Sequence, residues 1–115
     1  MAKKAVPAKG KGKVKKKVRP LVVVINSPAE NDSTDPYPIN QDFVVTGSYS
    51  SPDTTITSIT MMLLPKGMPV GPNSSKVGGG SWVATWTANT LKAGNYRCEA
   101  DGDQGGSDVR SYWLG

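Results

Sequence analysis

From residue 21 onward, apolar residues recur at every second position in short runs, and nowhere at the three-to-four spacing of an amphipathic helix. Residues 21–26 form an apolar run that predicts a first strand, ended by Pro28. Residues 29–40 hold three acids and two prolines and predict a long loop. Residues 41–50 alternate, with Phe43, Val45 and Gly47 on one face and Val44, Thr46 and Ser48 on the other. Ser51-Pro52-Asp53 reads as a turn. Residues 55–64 predict a third strand in which Ile56 falls out of step with Ile59, Met61 and Leu63, a slip that allows a bulge near Ser58. Residues 65–80, with three prolines and five glycines, predict a loop with room for one short edge strand around Lys76-Val77. Residues 81–89 set Trp82, Ala84 and Trp86 against Val83, Thr85 and Thr87, and residues 95–100 set Tyr96, Cys98 and Ala100 against Arg97 and Glu99. Residues 101–107 read as a turn and residues 109–114 as the last strand. Six or seven strands over residues 21–115 predict an all-β, two-sheet sandwich. Its expected core holds Val23, Phe43, Val45, Ile59, Met61, Trp82, Trp86, Tyr96 and Cys98. Tyr112 and Trp113 are neighbours on a strand, so one of them is expected to be exposed.

Composition sharpens this picture by exclusion. Hydrophobic residues are 37% of the 115, with 13 Gly and 9 Pro, a balance suited to a small turn-rich β domain rather than a helical bundle. The absence of His and the single Cys rule out a Ser-His-Asp or Cys-His relay and a zinc site of His and Cys, so the chain reads as non-enzymatic and cofactor-free. Cys98 lies between Tyr96 and Ala100 on an inward face and reads as a buried structural thiol. The acid-rich segment at residues 101–108 does not meet the EF-hand pattern: Gly105 stands at its fifth position and no Glu closes it at the twelfth. It reads as a plain turn. Gly10-Lys11-Gly12-Lys13 lacks the preceding strand and the spacing of a phosphate loop.

Particular segments resemble immunoglobulin-like domains. Residues 91–100, Leu-Lys-Ala-Gly-Asn-Tyr-Arg-Cys-Glu-Ala, resemble the E–F corner and F strand, where a Tyr two residues before the F-strand Cys turns its hydroxyl back onto the corner backbone. Residues 43–48 resemble the B strand of bacterial and phage Ig-like domains, and residues 80–86 their E strand, which opens Gly, a small residue, then Trp. Val45 occupies the position of the B-strand cysteine and the expected C strand has no Trp, so the likeness is to the disulfide-free type. This resemblance implies an immunoglobulin-like sandwich of the kind displayed by phage capsid decoration proteins.

Charge divides the chain in two. Residues 1–20 carry Lys3, Lys4, Lys9, Lys11, Lys13, Lys15, Lys16, Lys17 and Arg19 with no acid, a net of +9. Residues 21–115 carry the other five basic residues against all nine acids, a net of −4. Residues 1–20 are too poor in apolar side chains to form a core, so they read as an extended, intrinsically disordered basic arm that orders on a partner, joined to the sandwich of residues 21–115. The run Leu21-Val22-Val23-Val24-Ile25 is too short for a signal core or a membrane span, which predicts a protein made in the host cytoplasm, with no membrane partner. Lysine suits diffuse attraction to a polyanion, whereas base reading favours Arg and aromatic groups, and the arm has one Arg and no aromatic.

The resemblance and the charge split together imply a virion protein anchored by its basic arm to the major capsid protein or another acidic protein surface. The sandwich would then be free to meet host-surface glycans. The competing expectations are a nucleic-acid-associated protein with a histone-like tail that binds non-specifically, and an adhesion or carbohydrate-associated module.

Overall fold

A computed structural model describes residues 22–50 and 55–115; the expected arm and the Ser51-Pro52-Asp53 turn lie outside the described residues. Among the described residues eight strands follow one another: β1 (Val23–Ser27), β2 (Phe43–Tyr49), β3 (Ile56–Leu64), β4 (Pro69–Val70), β5 (Ser74–Gly78), β6 (Ser81–Trp86), β7 (Gly94–Gly102) and β8 (Ser107–Leu114). They form two antiparallel four-stranded sheets, ordered β1-β2-β6-β5 and β4-β3-β7-β8. Set beside the immunoglobulin scheme these orders are A-B-E-D and C′-C-F-G, the expected immunoglobulin-like sandwich.

Period-two alternation puts one face of each long strand inside. Along β6 the pattern buries Trp82, Ala84 and Trp86, and along β7 it buries Tyr96, Cys98 and Ala100. All nine expected core residues are buried, joined by Ile25, Ile56, Ala84, Leu91, Ala100, Tyr112 and Leu114. The slip in β3 is a register irregularity between Ile56 and Ser58, which lets Ile56 and Ile59 both point inward. Cys98 is a free thiol whose strand partner is Met61, so a flexible thioether stands where antibody domains stack Trp on a disulfide. The aromatic mass sits on β6 instead. There Trp86 donates its indole Nε1–H to Val70 O across the sandwich at 3.1 Å, which pins the two-residue β4 in place.

Three expectations need correction. Residues 65–80 contain two strands, β4 and β5, and β5 is joined to β6 by Gly79-Gly80, both at positive φ (63° and 86°) as a tight primed turn requires. The turn expected over residues 101–107 is shorter, because β7 runs through Gly102 and β8 opens at Ser107. Of the pair Tyr112 and Trp113, Tyr112 is fully buried while Trp113 is half-buried rather than exposed. The loop before β2 covers it: Asn31 and Tyr37 both bond the Trp113 backbone.

Candidate functional site

The nine cations of the arm, Lys3, Lys4, Lys9, Lys11, Lys13, Lys15, Lys16, Lys17 and Arg19, all lie outside the described residues. What the structure defines is the body: its corner, its seam, its two outer faces and its two edges.

At the corner before β7, the Tyr96 hydroxyl donates to Lys92 O at 2.8 Å and accepts from Lys92 N–H at 3.0 Å. This is the tyrosine corner that the resemblance implies. Burial holds the hydroxyl above its ordinary pKa, against the opposing pull of the Lys92 backbone.

At the seam between the sheets, where β1 meets β8, charged side chains bridge the two strands beside the apolar core. Asp108 accepts the Ile25 N–H at 2.8 Å, and Arg110 donates through Nη2 to Ile25 O at 3.2 Å. Asp108 and Arg110 also pair with each other at 3.2 Å. Both sit on the inward side of β8, the same side as Tyr112 and Leu114. The outer edge of β8 is capped as well. Val109 N–H donates to Asp108 Oδ1 at 2.9 Å, Ser111 N–H to Glu30 Oε2 at 2.7 Å, and Trp113 N–H to Asn31 Oδ1 at 2.8 Å. Every second amide along this strand is thereby occupied by a side chain of the same molecule, which closes the edge to another strand. The sequence held a signal for this seam: an acid and a base two residues apart at the start of a strand share one face.

The two outer faces differ in charge. In the β1-β2-β6-β5 sheet the strands carry one charged residue, Lys76, and the outer face is otherwise Val, Thr, Ser and Asn around a shallow concavity of about 610 Å³ lined by Asn26, Thr46, Lys76 and Val83. The outer face of the other sheet carries Arg97, Glu99 and Asp101 on β7. Arg97 pairs with Glu99 at 3.7 Å. The neighbouring Asp101 carboxylate, assisted by slight burial, raises the Glu99 pKa, and Arg97 opposes the shift.

Other candidate chemistry is absorbed by the fold. Burial first, then the Asp108 and Glu99 charges, push the Cys98 thiol up to about 12, so its thiolate is scarce at neutral pH. The carboxylates of residues 101–108 face different partners: Asp101 bonds Ser58, Asp103 bonds Thr55 N–H, and Asp108 serves the seam. Among the described residues no group of three or more His, Cys, Asp or Glu could hold a metal ion, and no helix is long and apolar enough to cross a membrane. The Asn31 amide is committed to Asp35 and Trp113, and Asn73 Oδ1 to Thr87 and Thr90.

No protein-family model matches the chain, and no curated protein matches it.

Proposed function

We propose that this chain is a non-enzymatic virion protein, a phage capsid decoration protein whose basic arm anchors it to an acidic surface of the major capsid protein while its sandwich is displayed outward. The observation that carries this reading is the division of charge: +9 within residues 1–20 and −4 over the remainder. Nine cations on a tether reach many carboxylates without needing a preformed site. The body supports the reading in two ways. Among the described residues one buried core runs from Val23 to Leu114 and joins both sheets, which supports a sandwich that holds itself together. Its polar side chains go into the seam, the corner and the caps of the β8 edge, which fits a body that is carried by another segment.

The arm is the anchor and the sandwich is the cargo. Ordering the arm on a partner costs entropy, so several contacts, or several subunits side by side, are needed for lasting attachment. The test is retention on particles. Purified particles emptied of their genome and treated with nuclease are expected to keep the protein. Release of the protein together with the nucleic acid would overturn the capsid assignment and favour a histone-like role.

A further inference from the structure

The two sides of the sandwich treat their strand edges in opposite ways. On the β1/β8 side, side chains of the same molecule occupy the amides of Ile25, Val109, Ser111 and Trp113. On the β4/β5 side the arrangement is open. The Gly79-Gly80 turn makes Gly78 and Ser81 the closing hydrogen-bonded pair of the β5–β6 hairpin. Alternation then directs the backbone of Lys76 toward β6 and that of Ser75 and Val77 away from it. Among the described residues no hydrogen bond reaches the Ser75 or Val77 backbone from that outer side.

The opposite sheet is open at the same place. β4 pairs only with Met61 and Met62, so the earlier part of β3, from Ile56 to Thr60, has no strand beside it there among the described residues. Between these two edges lies a groove of about 290 Å³ lined by Ile56, Ser58, Ile59, Pro72, Ser75 and Val77. Val77 and Ser75 stand opposite the buried Trp82 and Ala84, so their side chains share the inward face and form one wall of the groove. Among the described residues no long strand lies over Val77 from the other sheet, and it is 38% exposed.

We infer that the β5 edge is a strand-addition site for an extended segment of a partner protein with apolar–acidic–apolar alternation. A strand laid antiparallel to β5 bonds the Ser75 and Val77 backbones and places every second side chain on one face. Residues opposite Ser75 and Val77 drop into the groove against Ile56, Ile59 and Pro72, which calls for apolar side chains. The residue between them lies opposite Lys76 on the outer face. Lys76 is the one charge carried by the strands of its sheet, and among the described residues it makes no ion pair, so an acid belongs there. The same lysine disfavours a second copy paired about residue 76, which would set Lys76 directly against Lys76. This site is separate from the arm and does not depend on the anchoring role proposed for it.

The probe is a capped pentapeptide, Thr-Val-Glu-Val-Thr, added to the full chain. Amide hydrogen exchange at Ser75 and Val77 is read in parallel with two control peptides. Replacing Glu by Lys reverses the charge. Replacing both Val by Pro keeps the charge that attracts the basic arm but removes the amides that a ladder needs. The Glu peptide is expected to slow exchange at Ser75 and Val77, and the Lys peptide to bind about fivefold more weakly, the worth of one charge pair or hydrogen bond. The Pro peptide is expected to leave those amides unprotected. V77P removes an outward amide without touching the β5–β6 ladder, so it is expected to abolish binding while the melting temperature stays close to that of the parent. No protection at Ser75 and Val77, equal protection by the Pro peptide, or equal binding of the Glu and Lys peptides would each overturn the site.

Discussion

Tyr96→Phe isolates the corner from the rest of the core. The ring is 2% exposed and its packing survives the change, so what is lost is the hydroxyl and its two bonds to Lys92, at 2.8 and 3.0 Å. An intramolecular hydrogen bond contributes about 1 kcal/mol net, and the two groups left behind at Lys92 sit on an exposed residue that water can reach. The expected cost is therefore about 1–2 kcal/mol, the lower part of the range for two bonds. For a body of this size that lowers the melting temperature by roughly 5–12 °C. Urea unfolding followed by tryptophan fluorescence is the assay, with the m-value unchanged if only the native state is affected. A second signature comes from pH. The folded hydroxyl is held above its ordinary value of 10.0, so its contribution is fully present below pH 10 and is lost as pH rises through the folded pKa. The Phe variant lacks that part of the alkaline decline. A cost below about 0.5 kcal/mol, or an alkaline decline identical in both proteins, would show that the corner does not hold the E–F connection as argued.

Three further outcomes follow from the core and the surface. A Cβ at Gly47 would overlap the Trp82 ring and Val24 O, and a backbone oxygen cannot retreat, so Gly47→Ala is expected to cost about 3 kcal/mol by denaturant unfolding; a cost under about 1 kcal/mol would mean that the Trp82 packing is looser than described. Cys98 is expected to react with a thiol reagent far more slowly in the folded protein at pH 8 than in urea, and Cys98→Ala to cost about 1–2 kcal/mol; equal rates in both states would contradict its burial. The Glu99 pKa is raised in the fold above 4.5, so protonation favours the folded state and stability declines as pH rises from about 4.5 through the folded value. Glu99→Gln removes that decline, by a small amount because the group is mostly solvated, and a melting temperature with the same pH dependence as the parent would count against the Asp101 interaction.

Much of this architecture was legible where one face of a strand is buried and the other is not. β2, β6 and β7 alternate cleanly, and the misplaced Ile56 reported the β3 bulge because a one-residue slip must show in the period. Residues 65–80 were harder for a physical reason. All five residues of β5 are exposed, so burial imposes no alternation, and β4 is held by the Trp86 indole rather than by its own sequence. The seam was only half legible: the two-residue spacing puts Asp108 and Arg110 on one face, but the opening residues of that strand have the composition of a turn. Alternation turns one of the neighbours Tyr112 and Trp113 away from the core, and the loop that covers Trp113 leaves no periodic trace. The open groove beside β5 follows from what β4 leaves unpaired, a feature of sheet topology that no single segment encodes.

On the proposed reading residues 1–20 anchor the protein and the sandwich does not. Co-sedimentation with capsids tests it most directly, comparing the full chain with a chain lacking residues 2–19 at several salt concentrations. The truncated protein is expected to keep the thermal unfolding of the body and to remain in the supernatant, and rising salt is expected to release the full chain progressively, since exposed charges are screened beyond roughly 8–10 Å at physiological ionic strength. A truncated protein that sediments with capsids as completely as the full chain would strip the arm of its anchoring role and move the contact to the sandwich.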